Sequence, residues 1–406
     1  MCGELMKAFV ARQPVFSRKE EVVAYKLLFR SEPRVANDAA EAEKTAIRTI
    51  SGTKRIFVRF PCSLLQRDDF STYLPGQAVI VEIAGDVEPN FKIVEICKSL
   101  KRQGYTIALD EGEFFNHLPE LTGMVDIVKV NFLATAYDKQ QWIAKEIANQ
   151  SIWLMAESVE TRAEFEQAAA LDCTYFQGVF FSKPKLMAPV DHSADKMQYL
   201  KILQEMYLPG FTYRRMEETI KSNAMISNQL IKHANSTAFN FRTRIDSVRH
   251  ALILLGKKEV EKWLSIRILW EISRPISEEI LVIAVARARF AELLAQKMSL
   301  RDLSSEAFVM GLFSLLECMV NLPLDEALTN LPVSSKVKSA LLGNGNELSA
   351  VYYLILSYEK GRWSQFSYYA AKCNIEETRV PAVYLQSLQW AEEFLVMINS
   401  KGDDAL

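Results

Sequence analysis

Through the first 180 residues the chain alternates short, β-branched apolar runs with charged stretches of helical spacing. The runs fall at 9–11, 22–28, 56–60, 78–83, 106–109, 127–130, 152–156 and 175–176, with the clearest helical stretches between them at 91–102 and 140–149. Apolar runs that lack strict alternation mark strands buried on both faces, as in a parallel sheet covered by helices. Eight such strands are the number that closes a (β/α) barrel, and that is the fold the pattern predicts for this half.

From residue 185 the grammar changes. The stretch 183–189 carries Pro184 and Pro189, and the polar segment 191–195 follows it. Beyond that point strand signals vanish and amphipathic helical spacing takes over, predicting helices at 196–207, 216–222, 226–234, 246–255, 257–272, 278–298, 304–320, 334–342, 348–359, 363–372 and 376–398. Gly256, Gly343 and Gly361 read as helix stops, and Pro275, Pro323 and Pro332 as breakers. The chain therefore divides into a barrel at 1–185, a linker at 186–200 and an all-α domain at 201–406. A proline-bearing, polar connector predicts that the two halves separate there.

Several apolar runs end in a charged residue. Arg59, Glu82, Asp110 with Glu111, Lys129 and Glu157 each stand at or just past the end of a predicted strand. In a barrel, such positions converge over the C-terminal mouth, where barrel chemistry is found. Taken singly, each is a solvated strand end; five in succession point to a shared site.

Composition narrows the function classes. The chain holds 48 Lys and Arg against 50 Asp and Glu, a net charge of −2, so no global field draws it to nucleic acid or to an anionic membrane. The six cysteines form no Cys-x-x-Cys pair, which suits a reducing compartment better than a disulfide framework or a zinc ribbon. No apolar stretch is long enough to span a bilayer, and the first residues lack the pattern of a signal peptide. A cytoplasmic protein is expected.

The barrel half resembles the EAL family of cyclic di-GMP phosphodiesterases, and the whole chain resembles the bacterial EAL–HDOD signalling proteins. The residues that carry the likeness are Arg12-Gln13-Pro14, the segment from Tyr25 to Arg30, Glu82 within Val-Glu-Ile, Leu109-Asp110, Lys129, Ala156-Glu157-Ser158-Val159-Glu160, and the run from Phe176-Gln177 to Pro184. In the second half they are His233-Ala234-Asn235-Ser236, Ser247, Ala251, Leu255-Gly256, Trp263, the segment from Gly311 to Leu316, and Tyr358-Glu359-Lys360-Gly361.

The resemblance implies a two-metal phosphodiesterase site whose groups fall at positions 26, 59, 82, 110, 111, 129, 131, 157 and 177. There, carboxylates hold divalent ions that activate water and neutralise the phosphodiester. This chain keeps Glu82, Asp110, Lys129, Glu157 and Gln177, but carries Lys26 in place of the signature Glu, Arg59 in place of Asn, Glu111 in place of Asp, and Asn131 in place of Asp. The family pattern sums to −5, which two divalent ions bring to −1; here the side chains alone sum to −1. The expectation is a pseudo-active site neutralised by Lys26 and Arg59, with no metal, no cofactor and no hydrolysis. Cyclic di-GMP binding without hydrolysis is the alternative, because Lys26, Arg59 and Lys129 could pair with phosphates, and residual metal-dependent hydrolysis is the third reading.

The helical half has no His-Asp dipeptide, and its His233 and His250 read as polar or capping residues rather than metal ligands. Arg242, Arg244, Arg249, Lys257, Lys258 and Lys262, interleaved with Phe239 and Phe241, form the densest basic stretch, read as a solvated face or a partner-docking surface. The aromatic run Tyr352, Tyr353, Tyr358, Trp363, Phe366, Tyr368 and Tyr369 reads as core packing. The function expected is that of a regulatory scaffold for a signalling protein, as monomer or homodimer, with no nucleic acid and no membrane.

Overall fold

The computed structural model describes residues 9–30, 50, 54–60, 76–83, 91–111, 123–178, 194–208, 210, 212–236, 239, 241, 243–273, 278–320, 322–329, 331 and 333–399. Eight strands close into a barrel in sequence order: β1 (Val10–Phe16), β2 (Val22–Phe29), β3 (Arg55–Phe60), β4 (Val79–Ile83), β5 (Thr106–Asp110), β6 (Ile127–Asn131), β7 (Trp153–Glu157) and β8 (Tyr175–Phe176). Between them lie α1 (Phe91–Arg102), α2 (Tyr137–Ile147) and α3 (Arg162–Ala170). The expected strands are all present.

One expectation is corrected. The sheet is not wholly parallel, because β1 runs antiparallel to both β2 and β8, while β2 through β8 are parallel. The cause is local. Only residues 17–21 separate β1 from β2, too few for the crossover that a parallel pair requires. The chain turns back instead, with Glu20 at φ 62° and the Ser17 carbonyl accepting from Glu20 N–H at 2.9 Å.

The hairpin leaves its outer face without the helix that a βαβ unit would lay over it, and the far end of the chain supplies the cover. The helical region runs α4 (Ala194–Met206), α5 (Tyr213–Lys221), α6 (Ala224–Ala234), α7 (Val248–Leu255), α8 (Lys257–Ser273), α9 (Glu278–Lys297), α10 (Ser304–Phe313), α11 (Leu316–Val320), α12 (Leu324–Thr329), α13 (Ser335–Leu341), α14 (Glu347–Glu359), α15 (Trp363–Lys372) and α16 (Val380–Asn399). The chain forms two compact units, and Leu356–Ala371 and Glu376–Leu385 belong with the barrel. This allocation differs from the linear division at 185 and 201. Expected linker positions from 194 onward are helical, in α4, and those at 186–193 lie outside the described residues.

The contacts explain the allocation. The Tyr358 hydroxyl donates to the Val10 carbonyl at 3.1 Å, Trp363 Nε1 donates to the Phe29 carbonyl at 3.2 Å, and the Arg12 N–H donates to the Tyr384 hydroxyl at 3.3 Å. Phe9 meets Trp363 and Phe366 edge to face, at 6.3 and 5.9 Å between ring centroids. Gly361, at φ 64°, lies so close to the hairpin that a Cβ there would stand 2.9 Å from Leu28 Cδ1. Backbone groups of β1 and β2 that a helix-free hairpin would leave to water thus find partners some 330 to 370 residues away in sequence.

The second unit is built around α8, of which Trp263, Leu264, Ile266, Ile268 and Leu269 are all buried. It packs with α4 on one side and α7 and α9 on others, and α9 lies along α10. Gly311 permits that last approach, since a Cβ there would stand 2.6 Å from the Arg287 carbonyl oxygen. Ser247, Thr212 and Asn223 cap α7, α5 and α6 by accepting from backbone N–H groups three residues on. No helix among the described residues is long and apolar enough to cross a membrane. Cys97, Cys173 and Cys318 are buried, and Cys2 and Cys62 lie outside the described residues.

The cover should be essential to the barrel. Tyr358, which is 0% exposed, loses both ring packing and its bond to β1 in Tyr358→Ala, for an expected cost of about 3 to 5 kcal/mol in a urea melt. A fragment ending at residue 185 should lack a cooperative thermal transition. A sharp melt of that fragment would show that the hairpin needs no cover.

Candidate functional site

The interior of the barrel sets the site by the two-residue period of its strands. Val15, Ala24, Phe57, Ile80, Ala108, Ile127 and Met155 form one buried layer, with Tyr175 packed against it. Two residues further along each parallel strand, side chains point inward again. Those positions are Lys26, Arg59, Glu82, Asp110, Lys129, Glu157 and Gln177; on the reversed β1 the equivalent step back from Val15 is Gln13. The candidate site is thus the interior layer directly above an apolar one, at the C-terminal mouth.

Six of these side chains meet. Lys129 Nζ lies 2.9 Å from Asp110 Oδ1, 3.4 Å from Glu82 Oε1 and 3.6 Å from Glu157 Oε1. Lys26 Nζ lies 2.6 Å from Glu157 Oε1 and 3.6 Å from Glu82 Oε1. Arg59 reaches Asp110 at 3.3 Å and Glu82 at 3.9 Å. Exposure rises from the floor to the rim: the Lys129 and Glu82 side chains are 1% exposed, Lys26 17% and Arg59 51%.

The remaining sequence candidates do other work. Gln177 donates to Gln13 Oε1 at 2.6 Å, tying β8 to β1. Glu111 accepts from the Thr135 hydroxyl at 2.7 Å and forms no ion pair among the described residues. Asn131 Oδ1 accepts from the N–H groups of Leu133 and Ala134, both at 3.1 Å, so its amide shapes the turn after β6. The charge count made on nine positions is corrected accordingly: the groups in contact are three carboxylates and three cations, and their sum is zero. Gln13 and Thr135 were missed as participants, although the inward period of β1 marks Gln13.

Electrostatics follow from burial. Desolvation works to lower the Lys129 pKa, but Glu82, Glu157 and Asp110 together outweigh it and raise the value, so the ammonium stays charged. Desolvation works to raise the Glu157 pKa, and Lys129 and Lys26 overcome it, bringing the carboxyl down from an ordinary 4.5 to about 2. Glu82 is held by ion pairs alone: both its carboxylate oxygens are buried and take no hydrogen bond among the described residues.

These residues do not fit a pair of divalent ions. An ion drawing on Glu82 and Glu157 would have to displace the Lys26 ammonium that lies within 4 Å of both, and Arg59 stands in the same way over Asp110. Among the described residues, no group of three or more His, Cys, Asp or Glu is placed to hold a metal. In the helical unit the expectation for His233 is corrected. It is a core residue, stacked on Trp263 at 5.9 Å and flanked edge-on by Phe239 and Phe394, and burial lowers its pKa to about 4. His250 lies 4.0 Å from Asp246; His117 and His192 lie outside the described residues.

Comparison with known proteins bears on both units. Residues 62–184 match the EAL domain family and residues 196–330 the HDOD domain family. The EAL match begins after Lys26 and Arg59. Over 410 residues the chain is 31% identical to the uncharacterized protein YuxH of Bacillus subtilis (strain 168), covering 96% of this chain and 99% of that one. It is 27% identical over 401 residues to the cyclic di-GMP phosphodiesterase CdgJ of Vibrio cholerae serotype O1, covering 95% and 92%. Among solved structures, a standalone EAL protein from Vibrio cholerae O395 in its c-di-GMP bound form aligns at 21% identity and a TM-score of 0.37, covering 44% of this chain and 92% of that chain.

Two outcomes are expected of the cluster. Lys129→Met leaves three carboxylates with too little compensation and should cost about 3 to 5 kcal/mol near neutral pH, read from denaturant melts. The Glu157 contribution has a defined pH window. Its folded pKa is depressed, so the stabilisation is complete above about 4.5 and is lost as pH falls toward about 2. In Lys26→Met that acid-labile share should shrink, and an acid titration of stability identical to wild type would show that Lys26 does not hold Glu157 ionised.

Proposed function

Because the chain belongs to the EAL–HDOD family of cyclic di-GMP signalling proteins, we propose that it is a non-enzymatic regulator, a scaffold for partner proteins whose barrel site is balanced by its own cations. The observation that carries this reading is the Lys26 ammonium, 2.6 Å from Glu157 and 3.6 Å from Glu82. Hydrolysis at a two-metal site requires carboxylates free to hold ions and a water made nucleophilic between them. Here Glu82, Asp110 and Glu157 already face three cations, and the Asn131 amide oxygen is engaged by two backbone N–H groups. Cations retained in a barrel mouth keep three buried or half-buried carboxylates folded without metal, which frees the shape of the domain from any need for a cofactor.

A second reading is residual metal-dependent hydrolysis of cyclic di-GMP. It is favoured by the activity named for the relative CdgJ and by Glu82, whose buried oxygens take no hydrogen bond among the described residues. A third, binding of the dinucleotide without turnover, rests on Arg59, half exposed at the rim.

One set of measurements separates the three. The purified protein with cyclic di-GMP and Mg or Mn should show no turnover above buffer, whereas turnover lost in Glu82→Gln would replace the proposal with the second reading. Calorimetric binding of the dinucleotide without turnover, weakened by Arg59→Ala, would replace it with the third. The triple variant Lys26→Glu, Arg59→Asn, Asn131→Asp should gain a melting temperature that rises with added Mn, since an ion present at 100 times its Kd stabilises by about 2.7 kcal/mol. The unaltered protein should melt at the same temperature with or without Mn.

A further inference from the structure

A cavity of about 260 Å³ opens within the helical unit, walled by side chains of α8, α10 and α13 and by Tyr207 just past the end of α4. Its apolar wall is Tyr207, Phe308, Val309, Val333 and Val337. Phe308 and Val337 are each 1% exposed, so that wall belongs to the core of the unit. The polar wall draws on the densest basic stretch of the sequence, with Lys258, Glu261 and Lys262 from α8 facing Ser305 and Glu306 at the start of α10.

Some of these polar groups are already engaged. Lys262 pairs with Glu259 at 2.7 Å and with Glu292, and Glu261 pairs with Lys257 at 3.5 Å. The Tyr207 hydroxyl is hydrogen-bonded to the Ser265 hydroxyl at 2.9 Å, which leaves its ring as the surface it gives the cavity. Three groups on the wall remain. The Lys258 ammonium, the Ser305 hydroxyl and the Glu306 carboxylate take no hydrogen bond and no ion pair among the described residues. Lys258 acts on Glu261 through space without pairing with it. One cavity therefore carries an unmatched cation and an unmatched anion that do not neutralise each other, beside an apolar wall.

We propose that this cavity binds a free α-amino acid with an aliphatic side chain, its carboxylate paired with Lys258, its ammonium with Glu306 and its side chain laid against Phe308 and the three valines. Three features select that ligand. A molecule with one charge would satisfy Lys258 or Glu306 and leave the other as it was, whereas a zwitterion meets both. The apolar wall rewards a ligand that takes aliphatic surface out of water. The volume lies below the roughly 300 to 1,000 Å³ of sites for drug-sized molecules, which places both charges and the apolar group on one small molecule. The inference is independent of what the barrel does, since every residue of the wall belongs to the helical unit.

Isothermal calorimetry of the full chain with leucine, isoleucine, valine and methionine at millimolar concentration tests the proposal. At least one should bind, and Lys258→Ala and Glu306→Gln should each weaken it roughly tenfold, the loss expected for one charge-assisted hydrogen bond. Two analogues of leucine address the charges separately. Isopentylamine lacks the carboxylate and 4-methylpentanoate lacks the ammonium, and each should bind the parent chain roughly tenfold more weakly than leucine. In Lys258→Ala the advantage of leucine over isopentylamine should disappear, a coupling that a general loosening of the fold would not produce. Val309→Trp, which fills the cavity from a half-buried position, should abolish binding, with a thermal melt to confirm folding; should it fail to fold, Lys258→Ala, at an exposed side chain, decides the matter. Lys336→Ala, exposed and outside the cavity wall, should bind as the parent does. Binding of none of the four amino acids, or equal binding by the parent, Lys258→Ala and Glu306→Gln, overturns the proposal. An analogue with one charge that binds as tightly as leucine overturns it in favour of a singly charged amphiphile.

Discussion

The barrel depends on one buried ammonium. Lys129 rises from the middle of the interior with 1% of its side chain exposed, and every carboxylate of the mouth cluster lies within 4 Å of it. Taking such an ion from water costs several kcal/mol, and the cost is recovered only where opposite charges surround it closely. Lys129 fixes Glu82, Asp110 and Glu157, and those three carboxylates in turn give Lys26 and Arg59 somewhere to sit. Each of the three carboxylates lies within 4 Å of at least two cations.

Much of this was legible in the residues. The eight strands and the inward-facing charged layer follow from runs of apolar residues that end in charge, because strand period and barrel closure leave little freedom once the runs are placed. The antiparallel β1–β2 pair was legible too, in the five residues that join them, but the repeated grammar of the later strands masked it. Glu111 drops out of the charge balance and Asn131 out of the site for a shared reason: each lies at a strand end where one residue of difference decides between the barrel interior and the adjoining loop, and a polar loop group takes the nearest hydroxyl or N–H. The residue type alone marks His233 as polar. Its aromatic setting comes from three residues, Trp263, Phe239 and Phe394, far apart in sequence, and no local pattern announces it.

The aromatic run near the C-terminus is core packing only in part, since Tyr358 and Phe366 are buried, Tyr352, Tyr353, Trp363 and Tyr369 are half-buried, and Tyr368 is 63% exposed. The core that Tyr358 and Phe366 join, with half-buried Trp363 at its edge, is the barrel's. Helical period says which side of a helix is buried and nothing about what buries it. The deciding information is an unmet requirement elsewhere, the open outer face of a hairpin with no helix of its own.

That arrangement bears on how the protein is made. A ribosome delivers the barrel strands first, and a barrel that was self-contained would close while the rest was still being translated. Here Tyr358 follows the last strand by 182 residues, so at 5 to 20 residues per second the hairpin waits roughly 10 to 35 s for its cover. During that interval Phe9 and the outer face of β1 and β2 are apolar surface on a nascent chain, a ready substrate for chaperones. The same dependence ties the two coding regions together in evolution, because exchanging the helical half for another by recombination would also remove part of the barrel.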